Sequence, residues 1–341
     1  MEKPVIRISV RNLVEFILRN GDLESGGTAG DKEAMLKGSR LHRKIQKQMG
    51  SHYQAEVSLK KDTEYEDLIL RVEGRADGIF TQNEKICIDE IKGVYKNLEL
   101  LAEPVLVHRA QALCYAWIYL DDHGLEEIDV QMTYAHLDTE MIKRFRETMT
   151  REELESWYQR LLDSYHKWLS YQMKWREERN RSMEKLEFPF IYRKGQKEMV
   201  AGIYHAISRK EQIFIQAPTG VGKTMSAVFP AVRSIGEGKA ETLFYLTART
   251  ITRTVAQDAF EILRKNGLLF KTVTITAKEK LCFCEKPECN PETCPYAKGH
   301  YDRINDAVYE LWTNEQSFDR ETILRQAEKW QVCPFEMSLD L

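Results

Sequence analysis

Hydrophobic and polar residues alternate along the first half of the chain in a pattern that predicts an antiparallel sheet. The period-two stretches are residues 53–59, 68–72, 76–80 and 85–92. Polar residues 81–84 separate the last two stretches and are placed for a hairpin turn. A helical repeat precedes these strands at residues 33–49.

A second helical repeat follows the predicted sheet. It starts behind Thr150, which has the capping-box spacing with Glu153, and carries apolar residues from Leu154 to Met173. The charge-rich residues 174–185 come next. We expect a solvated linker after the closing helix of the first domain. Its basic residues Lys174, Arg176, Arg179 and Arg181 could contact DNA phosphates, but glutamates lie between them, so a plain exposed helix is favoured.

The second half of the chain has a different pattern. Two short apolar runs, residues 213–217 and 242–247, each precede a polar turn and a helical repeat. Continuous apolar runs of this length are typical of strands buried on both faces in a parallel sheet. The pattern therefore predicts an α/β domain after the first one.

Composition agrees with a protein of two domains or slightly more. The chain has 341 residues, of which 43% are hydrophobic and 30% are charged. It shows no apolar run of membrane-spanning length and no signal peptide, so we expect a cytoplasmic protein without membrane partners. The net charge of −3 excludes a uniformly basic nucleic-acid binder, so any DNA contact must come from local patches.

A glycine-bearing loop lies between the first of these apolar runs and a helix. It fits G-x-x-x-x-G-K-[ST], except that Ala217 stands at the first glycine. Its backbone N–H groups and the helix N-terminus can cradle phosphates, with Lys223 on the outer phosphates and the Thr224 hydroxyl on Mg²⁺. The alternative is a chance turn. The residues predicted to hold the nucleotide here are Thr219, Gly220, Val221, Gly222, Lys223 and Thr224.

Two acids and a lysine fall together in the predicted hairpin. Period two places Glu90 and Lys92 on one face of the strand and Asp89 on the other. Asp77, on the neighbouring strand, can meet Glu90 across the ladder. Two carboxylates and an ammonium at one sheet edge suit a hard divalent cation and an activated water. A solvated cross-strand charge cluster is the alternative.

This constellation resembles the PD-(D/E)xK nuclease superfamily, although Ala76 stands where the usual proline precedes the aspartate. Gly38 to His42 is similar to the G-x-x-x-H helix of RecB-like and CRISPR-adaptation nucleases, and Gln111 to Tyr115 is similar to their Q-x-x-x-Y helix. The resemblance covers roughly residues 1–180. It implies that His42, Asp77 and Glu90 hold Mg²⁺ or Mn²⁺, helped by a backbone carbonyl near Ile91. It further implies that Lys92 orients the attacking hydroxide and that Gln111 and Tyr115 position substrate or metal.

The phosphate loop, in turn, resembles the first motif of superfamily 2 helicases. Arg193 and Gln196 precede it at the spacing of the Q motif of XPD/DinG-type helicases, where the glutamine amide reads the adenine edge. Residues 248–250 resemble the motif that grips a single-stranded DNA backbone. The resemblance implies ATP as cofactor and single-stranded or forked DNA as partner.

Cysteines cluster after the second predicted strand of this half. Five of the seven are Cys282, Cys284, Cys289, Cys294 and Cys333. Their position resembles the iron–sulfur insertion of XPD/DinG relatives, which implies a [4Fe–4S] cluster on Cys282, Cys289, Cys294 and Cys333. Cys284 is left out because it is so near Cys282 in sequence. Zinc is the rival metal, and a site without metal is the third possibility.

Taken together, the patterns predict an α/β protein. The resemblances imply a restriction-endonuclease-like α/β/α nuclease domain (1–184), followed by a partial RecA-like P-loop domain (185–275) with an Fe–S insertion (276–341). The predicted activity is that of an ATP-dependent DNA helicase-nuclease in DNA processing or repair. No D-E-x-[DH] motif follows Lys223, so we expect a piece of a longer helicase with an incomplete ATPase. The alternatives are a nucleic-acid-binding fragment that binds but does not hydrolyse ATP, and a stand-alone nuclease.

Overall fold

A six-stranded mixed sheet organises the first half of the chain in the computed structural model, which describes residues 3–24, 32–247, 250–285 and 288–341. The strands are β1 (Val5–Ser9), β2 (Tyr53–Glu64), β3 (Ile69–Gln82), β4 (Lys85–Val94), β5 (Glu127–His136) and β6 (Ile142–Thr150). The order is β1-β3-β4-β5-β6, and β2 pairs with β3 outside this path. The sheet is mixed, since β1 runs parallel to β3, β4 runs parallel to β5, and the other pairs are antiparallel.

Strand β3 is the strand at which the sheet divides. Strand β2 pairs with it from residue 69 to residue 80. On the other edge, β1 pairs with residues 69–73 and β4 with residues 78–82. Residues 74–77 therefore lie between the two partners, where neither ladder extends. Two separate strands were expected here, but the long β2 partner supports one continuous strand across Gly74.

Helices cover the sheet residues and close this half of the chain. They are α1 (Val10–Ile17), α2 (Lys32–Gln48), α3 (Leu106–Asp122) and α4 (Arg151–Glu184). Helix α3 is largely buried, with side chains from Ala110 to Leu120 in the core. At the start of α4, the Glu153 carboxylate accepts from the Thr150 N–H at 2.9 Å, and the Thr150 hydroxyl accepts from the Glu153 N–H at 3.4 Å. This is the expected capping box.

Residues 174–185 differ from the predicted solvated linker. Helix α4 continues to Glu184, and Met183 is fully buried near its end. Arg181 also pairs with Glu177 one turn earlier. The buried methionine and the helical spacing of the charges give this segment reasons to remain helical.

The remaining elements complete the chain. The helices are α5 (Gln196–Arg209), α6 (Lys223–Gly236), α7 (Thr250–Lys265), α8 (Lys278–Leu281), α9 (His300–Asn314), α10 (Arg320–Trp330) and α11 (Pro334–Asp340), and the two short parallel strands are β7 (Thr272–Val273) and β8 (Ser317–Phe318). None of the described helices has the length and apolar character needed to cross a membrane.

The chain forms two compact units, neither of them continuous in sequence. The first contains the chain up to Trp168 together with Ala277–Tyr309 and Arg325–Met337. The second contains Leu169–Thr276, Glu310–Leu324 and Ser338–Leu341. The cysteine-rich segment thus belongs to the same unit as the six-stranded sheet.

The second unit has a helical core but lacks the predicted strands. Buried residues of α6 and α7, such as Val232 and Leu263, pack in one cluster. Residues 213–217 and 242–247 form no strand, and within them Phe214 is 93% exposed and Leu246 is 88% exposed. The prediction of two strands was wrong for the described chain. A parallel strand needs partners on its edges, and the described residues provide none for these two runs.

Candidate functional sites

The first site lies where β3 and β4 separate. The β3–β4 ladder ends with the pair Gly78 and Asp89, so Asp77 and Glu90 are the next residues on the two strands. The Ile91 N–H donates to Asp77 Oδ2 at 2.7 Å. An amide of β4 thus binds a carboxylate of β3 at the point where the strands part, and it fixes Asp77 beside Glu90.

Glu90 is buried and only partly paired. Its Oε1 lies 2.9 Å from Lys92 Nζ, while its Oε2 has no hydrogen-bond partner among the described residues. Burial raises the pKa of Glu90 to about 7, with Lys92 opposing and Asp77 adding to the rise. Buried carboxylate oxygens are normally satisfied, so this oxygen is suited to a cation or a proton.

Lys92 and two residues of α3 complete the wall of the site. Lys92 Nζ donates to Gln111 Oε1 at 2.6 Å. Tyr115 lies one turn further along α3 and packs on Gly74, where an added Cβ would come within 2.6 Å of the Tyr115 hydroxyl. Burial raises the pKa of Tyr115, and the Glu90 charge adds to the rise. Gly74 is therefore required for α3 to approach the divided edge of the sheet.

His42 reaches the same carboxylates from α2. Its Nδ1 lies 3.6 Å from Asp77 Oδ1. Burial disfavours the imidazolium, but the Asp77 carboxylate outweighs this effect and the pKa of His42 is raised. One turn later, Gln46 Nε2 donates to the Asp77 carbonyl at 2.9 Å and anchors α2 to β3. The structure thus brings together all six side chains proposed for this site, namely His42, Asp77, Glu90, Lys92, Gln111 and Tyr115.

The donors of this site suit a hard cation, although they are not arranged as a preformed metal site. Among the described residues, no group of three or more His, Cys, Asp or Glu side chains has the spacing of a metal site. The Lys92 ammonium pairs with one oxygen of Glu90 and leaves the other oxygen open. The free Glu90 oxygen, the Asp77 carboxylate and the His42 imidazole remain a fitting donor set for Mg²⁺ or Mn²⁺.

Asp89 lies on the opposite face of β4 from Glu90 and Lys92. Its carboxylate accepts hydrogen bonds from Tyr53 at 3.0 Å, from Gln131 at 3.1 Å and from Thr133 at 2.7 Å. These bonds satisfy a buried acid inside the fold. Asp89 is therefore a structural residue, separate from the site on the other face.

His108 is a residue of this region that the motifs did not indicate. Its Nδ1 lies 3.2 Å from the Tyr134 hydroxyl, which accepts from the Val105 N–H at 2.9 Å. Burial lowers the pKa of His108 to about 4, helped by Lys92, Arg11 and Lys96. The imidazole is therefore neutral and lies among cations. Its position three residues before Gln111, on the same helix face, was the available signal.

The second site is the phosphate loop in front of α6. Gly220 and Gly222 have φ values of 83° and 77°, which favour glycine. Lys223 Nζ donates to the carbonyls of Ala217 at 2.9 Å and Pro218 at 3.2 Å. The ammonium thus binds its own loop. The Thr224 hydroxyl lies 3.3 Å from that of Tyr245, while Thr219 is exposed and Val221 is half-buried.

Arg193 and Gln196 lie against this loop. The Gln196 side-chain oxygen accepts from the Arg193 N–H at 3.0 Å, and the Arg193 guanidinium donates to the Gly220 carbonyl. An added Cβ at Gly222 would come within 2.7 Å of Gln196 Nε2. Gln196 is thus buried against the phosphate loop. The motif predicted for the DNA backbone includes Ala248 and Arg249, which lie outside the described residues.

All five clustered cysteines line one small cavity of the first unit. Cys289, Cys294 and Cys333 are buried, and Cys284 Sγ lies 3.7 Å from Cys294 Sγ. Burial raises the pKa of Cys333 to about 11, although the backbone of Glu336 and Phe335 opposes this through hydrogen bonds. Cys284, which was left out on its sequence spacing, therefore lines the cavity with the other four cysteines and lies beside Cys294.

The cysteine cavity has the donors of a thiolate metal site. The thiols do not have the geometry of a preformed metal site. In the described part of the chain, no group of three or more His, Cys, Asp or Glu side chains is arranged to hold a metal ion. Lys278 lies nearby, and its pKa is raised by a hydrogen bond to Cys289. Several sulfur ligands around one cavity, with a cation beside them, fit an iron–sulfur cluster or zinc.

Comparison with known proteins bears on the second half of the chain. Residues 193–289 match the family model described as DEAD/DEAH box helicase. The match supports a helicase component, which implies ATP and Mg²⁺ as cofactors and a nucleic acid as partner.

Other comparisons add little. No curated protein matches the chain. The solved structure described as "Crystal structure of SSO0001" is 19% identical over 46% of this chain and 75% of that chain. Its TM-score is 0.31, too low to support an argument about the fold.

Proposed function

We propose that the chain is a DNA-processing enzyme in which a PD-(D/E)xK-type nuclease is joined to an ATP-dependent helicase of the XPD/DinG type. The observation that carries the nuclease half is the buried Glu90 Oε2, which has no hydrogen-bond partner in the described chain. Asp77, His42 and Lys92 lie around it. A carboxylate oxygen in this environment is best stabilised by a bound cation.

In the nuclease site, His42, Asp77 and Glu90 would hold Mg²⁺ or Mn²⁺, which supplies an activated water and a Lewis acid. Lys92 is held between Gln111 and Glu90. Its ammonium can offset negative charge on a phosphoryl group. Gln111 fixes Lys92 from α3, and Tyr115 keeps that helix against Gly74. These contacts restrict the lysine to one orientation toward the substrate.

In the helicase half, the residues from Thr219 to Thr224 would bind ATP phosphates. The left-handed glycines open the loop, and Lys223 would exchange its carbonyl contacts for phosphate oxygens. Arg193 and Gln196 stand at the adenine side by resemblance to the Q motif. Single-stranded or forked DNA is the proposed partner, and DNA repair or recombination is the proposed setting.

In the cysteine cavity, Cys282, Cys289, Cys294 and Cys333 would hold a [4Fe–4S] cluster. The shared cavity and the burial of three of these thiols support a metal there. Zinc is the competing metal, since four thiolates also suit it. Cys284 lies beside Cys294 and could replace one ligand.

A second candidate function is a nucleic-acid-binding protein whose phosphate loop binds ATP without hydrolysing it. The exposed runs at residues 213–217 and 242–247 favour it, because they do not form the strands that position catalytic groups in a RecA-like site. Measurement of ATP turnover alongside ATP binding separates the two candidates. A nuclease acting alone is the third possibility.

Cleavage of single-stranded DNA with Mn²⁺ tests the nuclease proposal. We expect Glu90→Gln to abolish cleavage, because a neutral amide binds a hard divalent cation much more weakly than a carboxylate. Lys85→Ala, on the same strand but paired with Glu127 instead, is the control and should cleave normally. Unchanged cleavage by Glu90→Gln would reject the nuclease assignment.

The metal content tests the cysteine proposal. Protein purified without oxygen should contain about four irons per chain, as a [4Fe–4S] cluster requires. Replacing Cys294 with serine should lower that content. Zinc as the only metal would overturn the cluster assignment while leaving a cysteine metal site.

A further inference from the structure

The turn that follows α1 forms part of the wall of the cysteine cavity. Leu23 is 7% exposed, lines that cavity and packs in one cluster with Cys289, Cys294 and Cys333. Its N–H donates to the Ala297 carbonyl at 2.8 Å. An apolar side chain from the start of the chain therefore shields thiols that are distant in sequence.

Reciprocal hydrogen bonds hold this turn on the cysteine-rich segment. The Tyr301 N–H donates to the Gly21 carbonyl at 3.0 Å, and the Gly21 N–H donates to Asp302 Oδ1 at 2.8 Å. The Gly299 N–H in turn donates to Asp22 Oδ1 at 2.6 Å. Two hydrogen bonds between backbone groups and two from backbone N–H groups to carboxylates hold this turn, so the position of Leu23 is well fixed.

A second set of contacts joins the end of α1 to α9. Arg19 Nε donates to Asn305 Oδ1 at 2.7 Å, and Asn305 Nδ2 donates to the Phe16 carbonyl at 2.7 Å. The contacts continue from the last turn of α1 to the cavity without a break. The end of α1 and the turn after it are therefore both anchored on the segment that follows Cys294.

We propose that the turn Gly21–Leu23 is a built-in cover of the cysteine site, which slows the loss of bound metal and is itself held in place when the metal is bound. This inference rests on the proposed metal at the cysteines and extends it to residues that carry no sulfur. Solvent access is one of the features that govern thiolate-bound clusters. Cys282 and Cys284 are only half-buried, so loss of the Leu23 methyl groups would open the cavity further.

Binding linkage gives the cover a second role. A metal that binds only the folded site stabilises every part whose structure the site requires. The turn is one such part, since its hydrogen bonds end on residues 297–302 beside Cys294. Metal loading should therefore raise the stability of the α1 end of the first unit.

The test measures metal release from the full chain. Wild type and Leu23→Ala are loaded with iron and sulfide without oxygen, and the visible absorbance is followed after EDTA and air are added. We expect several-fold faster release from Leu23→Ala. Leu36→Ala, an exposed leucine on α2, is the matched control and should release at the wild-type rate.

Two further variants keep the test decisive if Leu23→Ala folds poorly. Asp22→Ala removes the side-chain oxygen that accepts from the Gly299 N–H, and it should also release metal faster. Leu23→Met keeps the apolar volume and should restore slow release. In addition, the increase in Tm on metal loading should be smaller in Asp22→Ala than in wild type.

The outcomes separate this inference from the proposed metal site. A wild type that takes up neither iron nor zinc overturns the metal site and with it the cover. If the wild type binds metal and both Leu23→Ala and Asp22→Ala release it at the wild-type rate, the cover is overturned and the metal site stands. Faster release in both variants, with Leu36→Ala unchanged, supports it.

Discussion

The candidate nuclease site and the phosphate loop differ in how much of the surrounding fold positions them. Asp77, Glu90 and Lys92 lie on paired strands and are held by hydrogen bonds from α2, α3 and β4. The phosphate loop keeps its glycine conformations and its helix, yet the apolar run in front of it pairs with no strand among the described residues. Helix starts and loops are local structures, whereas a strand depends on residues elsewhere in the chain.

This comparison teaches that the two sites respond to different substitutions. Buried side chains beneath the nuclease site should matter for both its stability and its chemistry. Apolar side chains next to the phosphate loop are exposed, so their loss should affect the described chain little.

The largest effect is expected for Lys92→Ala. Loss of a preorganised charge at a reacting phosphoryl group should lower Mn²⁺-dependent cleavage roughly 10²- to 10³-fold. The measurement is single-turnover cleavage of single-stranded DNA. Lys85→Ala keeps the strand and serves as the control, and a variant at Lys92 with normal rates would remove this residue from the chemistry.

The next largest difference between the two regions is expected in the free energy of unfolding. Ile88 on β4 is 0% exposed, so Ile88→Ala should lower the free energy of unfolding by about 2–5 kcal/mol. Phe214 is 93% exposed, so Phe214→Ser should change it by about 0.5 kcal/mol or less. Denaturant unfolding measures both. Equal losses for the two variants would contradict the comparison.

The pH dependence of stability should reveal Glu90. Its folded pKa is about 7 against an ordinary 4.5, so the folded protein keeps the proton longer. The resulting stability is complete below the ordinary pKa and is lost as pH rises through about 7, by an amount on the order of 3 kcal/mol. In metal-free protein, Glu90→Gln should flatten this decline. A decline of the same size in the variant would assign it to other groups.

The smallest functional effect is expected at the phosphate loop. Lys223→Ala should weaken ATP binding about 10-fold or more, since a hydrogen bond to a charged group contributes roughly 1.5–3 kcal/mol. Isothermal titration measures the change, with Lys210→Ala as a control outside the loop. DNA cleavage should persist in Lys223→Ala, and its loss would show that the two sites are coupled.

The sequence predicted local features of the fold more accurately than long-range ones. Period two separated Glu90 and Lys92 from Asp89, because the faces of a strand follow from the backbone. Helix spacing put Gln111 and Tyr115 on one side of α3, and it could also have indicated His108. The strands at residues 213–217 and 242–247 were wrong, because an apolar run does not specify its partners.

Contacts between distant parts of the sequence could not be predicted. Leu23 meets Cys289 and Cys333 through a turn that no motif or periodic pattern of the sequence linked to the cysteines. The proximity of Cys284 to Cys294 depends likewise on how the segment folds back. The number of residues between these side chains along the chain did not indicate either contact.

The four residues of β3 between its two partners set a strict requirement on chain length. Successive side chains of a strand point to opposite faces, so one residue inserted between Asp77 and Gly78 would turn Asp77 away from Glu90. One residue inserted or deleted between Gly74 and Asp77 would instead change the spacing between the glycine under Tyr115 and the carboxylate. Either change would leave the composition and the ladders with β1 and β4 nearly intact, while the β2 strand, which pairs across this segment, would have to adjust.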